Sequence, residues 1–183
     1  VHILPHWNWE KFTGKEIPVY VYTNCDSAEL FLNGKSLGEK NLSDSKNLRL
    51  EWKVVYEPGT LLAVGKNNGT EACRKENITA GKPARIELKA DRNTIKADGT
   101  DLSYVTVRVL DEKGILCPEA GNEIEFEISG AGTRAATGNG DQLSHAFFNE
   151  KKCKAFSGML LWGMVPWMRS SRPSSESRAL KCS

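Results

Sequence analysis

Apolar and polar residues alternate along most of this chain, most clearly between Pro83 and Asp141. Ile86 and Leu88 are interleaved with Arg85, Glu87 and Lys89. Val105, Val107 and Val109 alternate with Thr106 and Arg108, and Ile124, Phe126 and Ile128 with Glu123, Glu125 and Glu127. Successive side chains on a strand point to opposite faces, so each run makes one apolar and one wet face. Turn signals at Ala97-Asp98-Gly99, Glu112-Lys113-Gly114 and Gly130 to Gly132 separate the runs, as in half of a β-sandwich.

The same period runs through the chain from Gly14. Ile17, Val19 and Val21 form one face, and Ala28, Leu30 and Leu32 another. The latter run meets Asn33-Gly34, a pair that tolerates the positive φ of a type I′ hairpin turn. Leu48, Leu50, Trp52 and Val54 follow a polar loop, Thr60 to Val64 form a further strand, and Asn68-Gly69 turns it back. Six or seven short strands in roughly 70 residues suit a small immunoglobulin-like sandwich. Thr79 to Pro83 reads as a linker, and no stretch keeps a helical period. The pattern predicts an all-β fold of two tandem immunoglobulin-like sandwiches at residues 14–82 and 83–158. A short arm at residues 1–13 and an irregular tail at 159–183 flank them.

Both ends break the alternation. VHILPHWNWEKF gathers two tryptophans, two histidines and a proline in nine residues, as if continuing from a longer protein. It reads either as an apolar arm against a neighbouring domain or as a ligand-stacking segment, because an exposed indole suits a sugar ring. After Gly158 the alternation stops, Met and Trp accumulate and a Ser/Arg-rich stretch follows. That change predicts a disordered or partly ordered end.

Composition removes several functions. With 25 basic and 23 acidic residues the net charge is +2, too small a field to hold a nucleic-acid backbone. No apolar run approaches the ~20 residues of a membrane span. Five cysteines are an odd number with no CxxC pair, so free thiols are expected rather than a metal site or a full disulfide framework.

The ordered series HILPHWNW, VYTNCDSAELFLNGKSLG, EWKVVYEPGTLLAVG, TAGKPARIELKADRNTIKADGTDLSYVTVRVLDEKG and GNGD resembles the C-terminal region of bacterial glycoside hydrolase family 2 enzymes, in particular β-galactosidases. The resemblance covers about residues 1–158, and the departure of the tail from the family pattern suggests that a reading-frame error or an artificial end replaced the native sequence after about Gly158. It implies that HILPHWNW lies where the catalytic (β/α)8 barrel ends, and that residues 14–82 and 83–158 are accessory sandwiches. The implied partners are that upstream barrel and, for the parent enzyme, a galactose-containing carbohydrate. A periplasmic or extracellular bacterial setting follows from the same resemblance, and no cofactor is implied.

Retaining glycosidases of this kind place two carboxyl groups about 5 Å apart across the scissile bond. In the family both sit on barrel strands, so this chain alone is expected to be inactive and to contribute no catalytic residue. Asn122-Glu123 and Asn149-Glu150 echo the family's acid/base dipeptide only as two-residue coincidences. Asp98, Asp101, Asp111 and Asp141 lack the alternation of a calcium loop and read as turn residues. His2 and His6 are four apart, but Pro5 discourages the helix that such spacing needs, and no metal site is expected. His6 and Trp7 are the substrate-proximal candidates in the complete enzyme. Two further readings, a carbohydrate-binding module pair and a surface adhesin fragment, share the same fold. Trp52, alternating with apolar residues, reads as core rather than as a sugar platform.

Overall fold

Ile17, Val19 and Val21 stand opposite Val54, Trp52 and Leu50 across one strand pair, so the apolar faces read from the sequence coincide in space. The computed structural model describes residues 1–166 except 46, 131, 144, 146, 149–151 and 157–158. The chain divides into two units, the first Val1–Ala80 and the second from Gly81 onward. Among the described residues there are strands and two single 3-10 turns, and no α-helix.

The first unit contains β1 (His2–Leu4), β2 (Glu16–Tyr22), β3 (Ser27–Leu32), β4 (Lys35–Asn41), β5 (Leu50–Val55), β6 (Thr60–Asn67) and β7 (Thr70–Ile78). They form an antiparallel sheet β1-β2-β5 and a second one β4-β3-β6-β7. Val19, Val21 and Trp52 from the first sheet share one buried cluster with Ala28, Leu30, Leu61 and Ala63 from the second. Two sheets that bury their apolar faces in one core are a β-sandwich.

Both predicted Asn-Gly turns are present. Asn33 and Gly34 have φ of 50° and 82°, and Asn68 and Gly69 have 49° and 73°, the positive pair a type I′ hairpin demands. On β3 and β4 two carboxylates, Glu29 and Glu39, face each other directly. Such a pair repels; Lys66 on β6 donates to both, at 2.8 and 2.7 Å. These hydrogen bonds hold both carboxyls below the ordinary glutamate range.

Two expectations change in this unit. Residues 1–13 are not a separate arm, because β1 pairs with β2 and Ile3 and Trp7 enter the core. Leu48 does not begin the Leu50–Trp52–Val54 face. It has a left-handed φ of 53° and is 77% exposed, in the turn closed by Ser45, which donates to the Arg49 carbonyl and accepts from its amide.

The second unit contains β8 (Arg85–Ala90), β9 (Ser103–Leu110), β10 (Glu123–Glu125), β11 (Gly132–Gly138), β12 (Lys152–Lys154) and β13 (Met159–Pro166). Their sheets are β11-β13-β9-β8 and β10-β12, all antiparallel. Val105, Val107 and Val109 are buried, as are Ile124 and Phe126, while Glu123, Glu125 and Glu127 are exposed. The regular strand stops at Glu125, yet the alternating burial continues through Phe126.

The expected irregular tail is corrected over residues 159–166. Their backbone forms β13, with Leu160 opposite Val107 on one side and Trp162 opposite Thr137 on the other. A short unbroken apolar run such as MLLWGMVP has no period from which a strand can be read. The expectation for residues 167–183 falls outside the described residues.

Asp111 ties the start of this unit to the end of β9. Its carboxylate accepts from the amides of Gly81 and Ile115, each at 2.8 Å, and the residue is buried. These amides, Gly81 first, hold the carboxyl below the ordinary aspartate range. A group whose folded pKa is depressed stabilises the fold above its unfolded pKa and loses that contribution as pH falls through the folded value. The second unit is therefore expected to lose stability below about pH 4. Asp111→Asn should flatten this acid dependence, leaving the part due to Asp91 and Asp98, whose carboxyls are also held low. Thermal unfolding of variant and parent at a series of acidic pH values checks this. In the first unit, Leu30→Ala at a fully buried site is expected to cost about 2–5 kcal/mol, measured by urea unfolding.

Candidate functional site

The aromatic run at the start of the chain supplies the candidate site, and its geometry is set by two side chains that point inward. Ile3 and Trp7 are 2% and 1% exposed. The Trp7 ring packs at 5.0 Å and 59° against Tyr56, and its Nε1 donates to the Glu57 carbonyl at 3.0 Å. Around it the backbone is stitched to the end of β7. Thr79 Oγ1 donates to the Trp7 carbonyl at 2.6 Å, and Asn77 Nδ2 donates to the Pro5 carbonyl at 2.9 Å. Asn8 and Ala80 exchange two hydrogen bonds, the side-chain amide donating to the Ala80 carbonyl and accepting from its amide, both at 3.0 Å. Buried polar groups require such partners, so the whole segment is held in one conformation.

Trp7 is thereby corrected as a substrate-facing candidate. Its indole is enclosed by the core and its single donor is already used, so it can offer no face to a sugar. His6 is placed differently. Half-buried, it stacks on Trp9 with ring centroids 4.7 Å apart and an interplanar angle of 9°. His6 Nδ1 accepts from the Asn8 amide at 3.2 Å, and Trp9 Nε1 donates to the His6 carbonyl at 2.8 Å. Trp9 in turn meets the edge of Phe12 at 5.8 Å.

Trp9 and Phe12, but not His6, line a groove of about 550 Å3 together with Leu4, Pro5, Ile17, Pro18 and Tyr20, with Glu16 as the one charged lining residue. Leu4 and Phe12 are each 43% exposed there. The groove is the feature that sequence reasoning missed. Trp9 and Phe12 belong to the same aromatic run as His6, but Ile17, Pro18 and Tyr20 reach it only through the pairing of β1 with β2.

Among the described residues Glu16 is the one carboxylate lining the groove, whereas acid/base glycoside chemistry uses a pair. Glu123, the first echo of the acid/base dipeptide, lies exposed on β10 within 3.5 Å of Lys152; Glu150 lies outside the described residues. The four turn aspartates are occupied locally. Asp98 accepts from the Thr100 and Asp101 amides, Asp101 from Arg92 and the Lys96 amide, and Asp141 from the Leu143 amide. Among the described residues no three His, Cys, Asp or Glu side chains could hold a metal ion. His2 and His145 are exposed. Trp52 is 5% exposed in the core, the place its alternation predicts.

Two immunoglobulin-like sandwiches, one carrying an apolar aromatic groove, define the class as a β-sandwich pair. The chain belongs to the C-terminal region of glycoside hydrolase family 2. The model of glycoside hydrolase family 2 C-terminal domain 5 matches residues 86–169, and a domain of unknown function, DUF4982, matches residues 14–73. The family likeness thus runs past Gly158, where the sequence alone suggests a shifted frame.

Among similar proteins is the beta-galactosidase BoGH2A of Bacteroides ovatus, 47% identical over 162 residues, which are 88% of this chain and 19% of that protein. A beta-glucuronidase of Formosa agariphila is 33% identical over 132 residues, 71% of this chain and 13% of that protein. The crystal structure of a glycosyl hydrolase family 2 member from Bacteroides cellulosilyticus has a TM-score of 0.85 at 39% identity, covering 91% of this chain and 23% of the other. The chain therefore spans about a fifth of the length of such relatives.

The two roles of the aromatic run separate in one experiment. Trp7→Ala is expected to destabilise the first unit by about 3–5 kcal/mol, and His6→Ala by less than about 1 kcal/mol. Urea unfolding of both variants measures this, and an unchanged Trp7→Ala midpoint contradicts the buried placement.

Proposed function

We propose that this chain is the non-catalytic accessory part of a β-galactosidase-like family 2 glycosidase, supporting the barrel and the substrate entrance of an enzyme that removes terminal β-galactosides. The observation that carries this reading is the 47% identity to a beta-galactosidase across 88% of the chain. Relatives named beta-glucuronidase or putative beta-glucuronidase stand lower, at 33% and 37%, which favours galactoside over glucuronide as the parent's substrate.

In this reading the groove of Leu4, Trp9, Phe12 and Tyr20 is covered by the preceding barrel, since an apolar surface of this kind gains by leaving water. His6 borders the sugar subsite in the complete enzyme. Trp7 acts from behind as a positioning residue, holding the His6–Asn8 backbone through its own burial.

The same groove favours a second reading, a carbohydrate-binding module. Aromatic faces stack on the apolar faces of sugar rings, and Trp9 and Tyr20 both line the groove. Tyr20, however, already carries the Arg49 guanidinium 4.4 Å from its ring centroid.

Chromogenic β-galactoside and β-glucuronide assays on the isolated chain and on the full-length protein test the proposal. The isolated chain is expected to hydrolyse neither, and the full-length protein to prefer the galactoside. Hydrolysis by the isolated chain, or a preference for the glucuronide, overturns it. Galactan or galactose affinity of the isolated chain that falls at least tenfold in Trp9→Ala supports the binding-module reading instead.

A further inference from the structure

Cys25 and Cys73 are 48 positions apart, yet their sulfurs are 3.6 Å from each other in the first unit. Cys25 lies just before β3 and is buried, whereas Cys73 lies on β7 and is half-buried. Between them runs Gly65 of β6, paired with Cys73 on one side and Ala28 on the other. A methyl group at position 65 would fall 2.9 Å from each sulfur. The missing side chain is what leaves room for the two thiols to meet.

We propose that Cys25 and Cys73 are a redox-active dithiol that closes to a disulfide across Gly65. The sulfur–sulfur bond is about 2.05 Å, so from 3.6 Å closure asks each sulfur to travel under about 1 Å. The oxidant is a small disulfide such as oxidised glutathione. Cys73, the more accessible thiol, loses its proton to water and attacks one glutathione sulfur, releasing one glutathione thiolate and forming a mixed disulfide. Cys25 then loses its proton and attacks the Cys73 sulfur, displacing the second glutathione. The protein loses two hydrogens and two electrons, and one oxidised glutathione becomes two reduced molecules. The ring so closed contains β3 to β6 and the beginning of β7, most of the first sandwich.

Other described thiols are placed differently. Cys117 is buried, and its sulfur lies 3.6 Å from the Gly81 carbonyl. Burial, with Asp111 nearby, pushes this thiol up and away from the reactive thiolate. Cys153 lies on β12 in the second unit.

The test treats the full 183-residue chain with oxidised glutathione, blocks remaining thiols with maleimide and maps the peptides. The expected product has lost about 2 Da, contains one Cys25–Cys73 linked peptide pair, and unfolds roughly 10 °C higher than the reduced chain. Gly65→Ala keeps both thiols but is expected to slow linkage at least tenfold. Cys117→Ser and Cys153→Ser are expected to leave it unchanged. Should Gly65→Ala fail to fold, Cys73→Ala at the half-buried position is expected to abolish both the linkage and the rise in Tm. Full maleimide labelling of Cys25 and Cys73 after oxidation, stable glutathione retained on Cys73, or a dominant link through another cysteine overturns the proposal.

Discussion

Insertion of Trp7 into the first core is the contact on which the candidate site depends. A fully enclosed indole gives the beginning of the chain a fixed position that a three-residue strand alone could not supply, because so short a pairing contributes few ladder bonds. With Trp7 seated against Tyr56 and bonded to Glu57, its neighbours His6 and Trp9 stay half-buried and stack on one another. Asn8, Asn77 and Thr79 then satisfy the backbone groups that the crossing would otherwise leave unpaired. The groove beside Trp9 and Phe12 is a consequence of this anchoring.

Asp111 has a comparable part in the second unit, by a different interaction. A carboxylate that accepts two backbone amides is a strong, directional acceptor, and here it joins Gly81 and Ile115 to the end of β9. β13 completes the sheet between β9 and β11. The family likeness that continues to residue 169 agrees with a strand at that place.

Neither unit assembles the chemistry of a glycosidase among the described residues. Acidic side chains such as Glu123 lie on wet strand faces, others such as Asp98 and Asp101 close turns by accepting from nearby donors, and the aromatic groove is apolar. A sandwich pair of this kind serves by shape and burial, consistent with a chain that spans about a fifth of its relatives.

The period-two faces of β2, β3, β5 and β9 were legible in the sequence, as were the two Asn-Gly turns, because both signals are local. A strand alternates its side chains whatever it packs on, and positive φ is a property of the residues in the turn. Other features were decided only in three dimensions. Leu48 left its predicted face because a side-chain hydrogen bond from Ser45 closed a tighter turn. MLLWGMVP became a strand through partners more than 20 positions away in sequence, which no local period announces. The sequence marks His6 and Trp7 as neighbours in one aromatic run, but which of the two rings is enclosed was not readable from it. Adjacent residues of an irregular segment carry no period, and the burial of Trp7 rests on tertiary contacts with Tyr56, Glu57 and Thr79.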